Sequence, residues 1–190
     1  MSLCLTGTQD HSLLAMVVQE ARRAAETWGG FVGRTAVQKM MYFLKATGVP
    51  MTYRFDIYHY GPFCEEILRD VEWLIADGVI TDLSDKPEKY SNYAPGEAIA
   101  ELLSKHEKQI EPCREHVRQI VRAFVPMRPE RLELIATLDY LYRQRKASGG
   151  RGPWKPVVLS LLQQVKGDKF SSADAARTYD VMVNAGLVDP

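Results

Sequence analysis

The sequence is short of the features that mark several large classes of protein. Its 190 residues include only three cysteines, an odd number and far apart, which excludes a disulfide framework and fits a reducing compartment. The 24 basic and 24 acidic residues cancel, which disfavours a protein that coats nucleic acid non-specifically. No apolar run approaches the roughly 20 residues of a membrane span, and no signal peptide is visible, so we predict a cytoplasmic protein without a membrane partner.

The motifs of common enzyme active sites are also missing. The sequence has no GxxxxGK[ST] phosphate loop, no HExxH metal helix, no GxSxG nucleophile elbow and no glycine-rich dinucleotide fingerprint. We therefore expect a non-enzymatic protein without a cofactor. Hydrophobic residues make up 46% of the chain and charged residues 25%, as in an ordinary globular protein, so a core is expected to form without metal.

Apolar periodicity divides the N-terminal part into helices and short strands. In order, we predict a helix over 9–28 ended by Gly29 and Gly30, a helix over 36–47, a strand over 53–60, a helix over 63–77, and a hairpin with strands 79–81 and 89–93. This order is that of a winged helix, in which the hairpin is the wing. The alternative is a plain α+β domain, in which a strand is added to a helical bundle.

From Pro95 onward the pattern is helical. The predicted helices span 95–105, 107–124, 129–146, 155–166 and 172–185, and the clearest loop spans 147–153. We therefore predict an α+β, mostly α fold, with a winged-helix-like unit over 1–95 and a helical region over 96–190, packed together as one compact structure.

Three local signals indicate where helices begin. Thr35 with Gln38 forms a capping-box pattern, Pro129 suits a first helical residue, and Ser171 with Asp174 marks another N-terminus.

Four segments carry a resemblance to a known family. They are 38–44 (QKMMYFL), 58–63 (YHYGPF), 67–80 (ILRDVEWLIADGVI) and, more loosely, 132–141 (LELIATLDYL). Together they resemble the "LQKLxYxL" helix, the "YxYGPY" signature and the helices that follow in the Panacea-type (SocA-like, antitoxin-associated) domain and its uncharacterised bacterial and phage relatives. The combination of the QK helix with the YGP signature is more specific than either alone.

The resemblance implies a winged-helix-like scaffold that binds other proteins. Some family members act as antitoxins or proteolytic adaptors that bind a toxin, and no catalytic residues carry over to this chain. The sequence departs from the pattern at Cys64, where relatives commonly carry serine. Because cysteine is a poor N-cap, we expect Tyr60 or Gly61 to cap the third helix, with Pro62 in its first turn.

The third predicted helix has a strongly acidic polar face. Its residues outside the core stripe are Glu65, Glu66, Arg69, Asp70, Glu72 and Asp77. Five acids against one base would repel phosphates, so this helix is not expected to read a DNA groove. The face is either simply solvated or binds a partner protein.

Tyrosines on the outer face of strand 53–60 are the other candidate contact residues. Tyr58 and Tyr60 either anchor a partner or pack under the C-terminal helices. The predicted protein-binding residues are thus Tyr58, Tyr60, Glu65, Glu66 and Arg69, and the expected partner is a toxin or a regulatory protein. The sequence leaves the oligomeric state open.

Nucleic-acid binding is the first alternative. The segment 143–155 holds five cations and no acid, and it contains three glycines and a tryptophan. Together with the wing, it could hold phosphates or stack on a base, or it could be a solvated helix end. The residues concerned are Arg143, Arg145, Lys146, Arg151 and Lys155.

Two further hypotheses about function involve cysteines. A thiol enzyme would use Cys64 in the first turn of a helix, activated by His59, although His59 is expected to pack on one strand face with Phe55 and Ile57. A metal site would use Cys113 and His116, three residues apart, with His106 nearby, but no second ligand pair completes it. We expect structural roles for these residues.

Overall fold

The computed structural model describes residues 3–28 and 30–190, apart from the side chain of Trp28. It has an α+β, mostly α fold, as predicted. The elements, in chain order, are α1 (Gln9–Trp28), α2 (Arg34–Ala46), β1 (Asp56–Tyr58), β2 (Gly61–Phe63), α3 (Glu65–Ala76), β3 (Ile80–Asp82), β4 (Tyr93–Pro95), α4 (Ile99–Lys105), α5 (Glu107–Ile110), α6 (Arg114–Phe124), α7 (Pro129–Ala147), α8 (Trp154–Lys166) and α9 (Ser172–Asn184). Short 3₁₀ turns, Glu111–Cys113 and Gly167–Lys169, precede α6 and α9.

The strands form two small sheets. β1 pairs with β2, and β3 pairs with β4. The second pair is antiparallel, with Ile80 opposite Pro95 and Asp82 opposite Tyr93. The hairpin expected after α3 is therefore present, but its second strand spans 93–95 rather than 89–93. The winged-helix assignment stays a prediction.

The chain divides into two compact units. Unit 1 consists of Met1–Phe55 and Phe63–Met127, and unit 2 of Asp56–Pro62 and Arg128–Pro190. The predicted division into a unit over 1–95 and a helical region over 96–190, packed as one compact structure, stays a prediction.

The core of unit 1 is built around α1. Residues 10–18 of this helix are all buried, and Leu14, Val17 and Val18 are fully so. It packs against α2, α4, α6 and β4. Phe43 of α2 stacks on Phe124 of α6 with ring centroids 4.4 Å apart. Burial of such aromatic and aliphatic side chains is the main favourable contribution to folding.

The core of unit 2 is a three-helix arrangement. α7 packs against α8 and α9, which also pack against each other. Each helix contributes fully buried side chains, among them Leu138, Val158 and Tyr179. Burial, together with the nearby Tyr142 and Asp189, raises the pKa of Tyr179 to about 12, and its hydroxyl donates to the Asp189 carbonyl oxygen at 2.8 Å.

Two of the three predicted helix starts are confirmed. Pro129 is the first residue of α7, and the Ser171 hydroxyl accepts a hydrogen bond from the Asp174 backbone N–H at 3.1 Å. The capping box at Thr35 is wrong. Helix α2 begins at Arg34 after Gly33, without a side-chain cap, because the Gln38 side chain binds the backbone of Cys64 instead.

Other boundaries needed correction. The predicted helix 107–124 is broken by Pro112, which has no backbone N–H to donate, so a 3₁₀ turn separates α5 from α6.

The predicted cap at Tyr60 or Gly61 is also wrong. Gly61–Phe63 forms strand β2, and Cys64 is the N-cap of α3 without a side-chain bond. The first helix ends at Trp28, and Gly29, predicted to stop it, lies outside the described residues.

Candidate protein-binding surface

The turn between β1 and β2 carries two exposed tyrosines. Tyr58 and Tyr60 are 59% and 65% exposed, which favours the first of the two alternatives, contact with a partner, over packing under the C-terminal helices. His59 lies between them, and its ring centroid is 4.5 Å from that of Tyr58. His59 is itself exposed, which corrects the expectation that it packs with Phe55 and Ile57. The regular strand ends at Tyr58, so the alternation of faces does not continue to His59.

A lysine from α8 holds this turn in place. The Lys166 ammonium group donates to the carbonyl oxygens of Tyr58, at 3.1 Å, and of His59, at 2.5 Å. The Lys166 side chain is only 4% exposed. A charged donor thus satisfies two turn carbonyls, which fixes the backbone that carries the tyrosines.

Close packing against α7 explains the glycine of the YGP motif. Gly61 has a φ of +84°, a conformation that side-chain-bearing residues rarely adopt. A Cβ atom at this position would lie 2.6 Å from Thr137 Oγ1 and 3.4 Å from the Glu133 carbonyl oxygen. Both the backbone conformation and the approach to α7 therefore require glycine.

A carboxylate on α7 pairs with two lysines under the turn. Glu133 Oε1 is 2.9 Å from Lys166 Nζ, and Lys169 Nζ is 2.7 and 2.8 Å from the two Glu133 oxygens. The Lys169 ammonium also lies 4.8 Å from the centre of the Tyr60 ring, within cation–π range. Sequence reasoning missed these three residues. The signal was a charged residue inside the apolar run LELIATL, since a buried glutamate needs a partner.

The other predicted contact residues lie on α3 in unit 1. Glu65, Glu66 and Arg69 are exposed, as predicted. The Arg69 guanidinium carbon lies 5.0 Å from the centre of the Trp73 ring. The polar face of α3 is smaller than expected, however, because Asp70 and Asp77 have structural roles.

Asp70 is buried, which corrects its assignment to the solvated face. The Tyr53 hydroxyl donates to Asp70 Oδ2 at 2.8 Å, and His11 Nε2 is 3.4 Å from the same oxygen. Burial, with the hydrogen bond and negative charge of Asp70, raises the pKa of Tyr53 above its ordinary range. Asp70 therefore links α3 to α1 and to the segment before β1.

Asp77 anchors the segment that precedes α1. Its carboxylate accepts backbone N–H bonds from Leu5 at 2.9 Å and from Thr6 at 2.8 Å. Although partial burial opposes the change, the hydrogen bonds from Thr6, Leu5 and Cys4 lower the pKa of Asp77. The exposed acids left on α3 are Glu65, Glu66 and Glu72.

The five cations predicted for nucleic-acid binding are largely engaged within unit 2. Arg143 Nε is 2.7 Å from Asp139 Oδ2. Lys146 and Lys155 each pair at 2.7 Å with a carboxylate, that of Asp189 and that of Asp180 respectively. Hydrogen bonds to Asp189 and Tyr142 raise the pKa of Lys146.

Arg145 and Arg151 differ from the other three cations. Both are exposed, and no carboxylate within residues 3–28 and 30–190 pairs with either of them. Any attraction for phosphate in this segment therefore depends on these two arginines.

The thiol of Cys64 is poorly suited to catalysis. Its side chain is 2% exposed, and Sγ lies 3.6 Å from Glu66 Oε2. Burial raises the pKa of this thiol, with a smaller contribution from the Glu66 carboxylate, and the backbone N–H groups of Ile67 and Glu66 only partly oppose it. A nucleophilic cysteine needs the opposite environment, one that stabilises the thiolate.

The residues considered for a metal site are engaged separately. His106 Nε2 lies 2.8 Å from the Gly7 carbonyl oxygen, and His116 Nε2 lies 2.9 Å from Thr47 Oγ1. Across the described part of the chain, no group of three or more His, Cys, Asp or Glu residues could hold a metal ion.

Comparison with known proteins gives one informative relationship. The chain is 32% identical over 65 residues to the uncharacterised protein YwgA of Bacillus subtilis. The aligned part is 34% of this chain and 39% of that protein, so the chain spans well under half the length of the relative it matches. No family model matches the chain. The chain is therefore similar to an uncharacterised bacterial protein, while the resemblance to the Panacea-type domain stays a prediction.

Within the described residues, none of the helices combines the length and the apolar composition that crossing a bilayer requires.

Proposed function

We propose that this chain is a non-enzymatic, cytoplasmic protein-interaction module of an antitoxin-like or regulatory kind. Its contact residues are Tyr58 and Tyr60 on the β1–β2 turn, and Glu65, Glu66 and Arg69 on α3. The observation that carries the proposal is the pair of tyrosines, which are more than half exposed on a backbone held by Lys166.

Exposed tyrosines on a fixed turn have the physical properties of an interaction hot spot. A tyrosine buries a large apolar ring when a partner docks, and its hydroxyl adds a directional hydrogen bond. Because Lys166 and the packing at Gly61 already hold the turn, docking costs little backbone entropy. A purely structural tyrosine would bury its ring in the chain's own core.

The kind of partner is proposed from the family resemblance. The QK helix and the YGP signature resemble the Panacea-type domain, some of whose members bind toxins. The winged-helix-like order of α1, α2, α3 and the β3–β4 hairpin agrees with that proposal. We therefore propose a toxin or a regulatory protein as the partner.

Affinity capture tests this function. A tagged chain expressed in its source organism is expected to retain a specific protein, which the Tyr58→Ala/Tyr60→Ala double variant loses. Tyr90→Ala is the matched control, because Tyr90 is also exposed and lies outside the proposed surface. Equal recovery by the double variant and the control would refute the proposal.

Fewer observations support the nucleic-acid alternative. Only Arg145 and Arg151 of its five cations lack a carboxylate partner among the described residues. A thiol enzyme at Cys64 would have to work against the raised pKa of a buried sulfur. We therefore rank both below protein binding.

A further inference from the structure

Helix α8 has an apolar side that unit 2 buries only in part. Val158 and Leu162 point into the core and are buried. Val157, Leu161 and Val165, spaced four residues apart, share another side of the helix. Val157 and Leu161 are partly exposed, and Val165 is 43% exposed. A helix that is apolar on two sides is expected to bury both, so one side of α8 is left for a partner.

A groove runs along this side of α8. It has a volume of about 470 Å³ and is lined by Arg145, Pro156, Val157, Ser160, Leu161 and Gln164. Arg145 is the only charged residue of the lining. The groove is shallow and open to solvent.

The loop after α7 holds Arg145 in position. The Gly150 N–H donates to the Arg145 carbonyl oxygen at 3.0 Å. A Cβ atom at Gly150 would lie 2.9 Å from both Cγ and Nε of Arg145, so the glycine backbone packs directly on this side chain. The preceding Gly149 adopts a φ of +77° to make the turn. This packing restricts the aliphatic part of the side chain, while Arg145 as a whole stays exposed.

We propose that this groove binds an amphipathic helix of a partner protein, with apolar residues at positions i and i+4 and an acidic residue that pairs with Arg145. A helix fits because the apolar residues run along the length of α8, where a second helix can interdigitate with them. The inference concerns a second surface, whose residues differ from those of the proposed function, and it specifies the chemistry of the segment that binds there.

The charge of Arg145 favours a partner protein over a second copy of this chain as the occupant of the groove. A symmetric dimer would place the same surface against itself. Neither the groove lining nor α8 contains an aspartate or glutamate, so a copy of α8 seated in the groove would offer Arg145 no carboxylate. A foreign acidic helix supplies both the apolar contacts and the opposite charge.

A charge-exchange experiment with peptides tests the proposal. The probe is a fluorescein-labelled helical peptide of about 16 residues with leucines at i, i+4 and i+8 and one flanking glutamate. Two matched peptides carry glutamine or lysine in place of the glutamate. Binding to the full chain is measured by fluorescence anisotropy, and circular dichroism verifies that each variant is folded.

The glutamate peptide is expected to bind about fivefold more tightly than the glutamine peptide, the size of one exposed ion pair. Arg145→Glu is expected to reverse the order, so that the lysine peptide binds best. Arg151→Glu makes the same charge change outside the groove and is expected to leave the order unchanged. Leu161→Asp is expected to weaken the binding of all three peptides.

Several results would overturn the inference. They are no binding of the glutamate peptide up to about 1 mM, an order that Arg145→Glu does not alter, or the same reversal by Arg151→Glu. A dimer that Leu161→Asp dissociates would assign the groove to a second copy instead. The affinity-capture experiment tests the proposed function separately. That function fails if the Tyr58→Ala/Tyr60→Ala variant captures the partner as well as the unaltered chain does.

Discussion

The Gln38 side chain satisfies both backbone hydrogen-bonding groups of Cys64. Gln38 Nε2 donates to the Cys64 carbonyl oxygen at 2.7 Å, and the Cys64 N–H donates to Gln38 Oε1 at 3.0 Å. Both residues are buried. The contact joins the QK helix, which contains Gln38, to the residue that directly follows the YGPF segment.

Removal of this amide is expected to destabilise the fold. Gln38→Ala leaves a buried N–H and a buried C=O without partners, so we expect the free energy of unfolding to fall by about 2–4 kcal/mol. Urea denaturation measures the change. Gln119→Ala, at an exposed position on α6, is the control and is expected to change stability by less than about 0.5 kcal/mol. A similar small effect at both positions would show that water readily replaces the Gln38 side chain.

The Glu133 carboxylate is expected to stabilise the turn that carries the tyrosines. Glu133→Gln leaves the buried Lys166 ammonium without a compensating charge, and we expect a loss of about 3–5 kcal/mol in the free energy of unfolding. Glu130→Gln, at an exposed position on the same helix, is expected to leave the free energy of unfolding nearly unchanged. A stability of Glu133→Gln equal to that of the control would contradict the ion pair.

The Glu133→Gln/Lys166→Met double variant completes the test. Because it removes the Glu133 and Lys166 charges together, it is expected to recover part of the stability that Glu133→Gln loses, although the carbonyl oxygens of Tyr58 and His59 then lack their Lys166 donor. Additive losses from the two single changes would instead mean that the residues act independently.

The Cys64 thiol is expected to react slowly with iodoacetamide. Burial raises its pKa, so at neutral pH less of it is thiolate than in a free cysteine. Its alkylation, followed by mass spectrometry, is expected to accelerate only above the ordinary thiol pKa of about 8.5. Cys4 is exposed and serves as the internal reference. A Cys64 that reacts faster than Cys4 near pH 7 would revive the thiol-enzyme reading.

The same shift affects stability in alkaline solution. The unfolded chain ionises Cys64 more readily than the folded chain does. The contribution of this thiol to stability is therefore complete below the unfolded pKa and is lost as the pH rises toward the folded value. Cys64→Ser is expected to remove this part of the pH dependence.

Duplex DNA is expected not to bind this chain at moderate salt. Three of the five cations in 143–155 already pair with carboxylates, so few counterions would be released on binding. A mobility-shift titration measures the interaction. Salt-sensitive binding that is lost when Arg143, Arg145, Lys146 and Arg151 are all changed to alanine would favour the nucleic-acid alternative.

The local elements of the fold could be predicted from the sequence. Apolar periodicity located the long helices, and Pro129 and Ser171 marked two of their starts, because these signals act between residues close in the chain. The broken helix at Pro112 shows the limit of periodicity, since the apolar pattern continues through a residue that cannot donate the helical hydrogen bond.

The partners of buried polar residues could not be predicted in this way. Gln38 was assigned to a capping box, and Asp70 to a solvated face, because their helical positions permit those roles. Their actual partners, Cys64 and Tyr53, lie 26 and 17 residues away. The partners of Glu133 are equally remote, since Lys166 lies on a later helix and Lys169 in the turn after it. Only the tertiary fold brings such groups together.

Photo-cross-linking tests the central claim most directly. A benzophenone amino acid is placed at position 60 of the full chain in the source organism, and at position 90 as the exposed control. The account predicts a covalent adduct with a specific protein at position 60 that is absent at position 90. No protein adduct at position 60, or the same adducts at both positions, would contradict a protein-binding surface at the tyrosine turn.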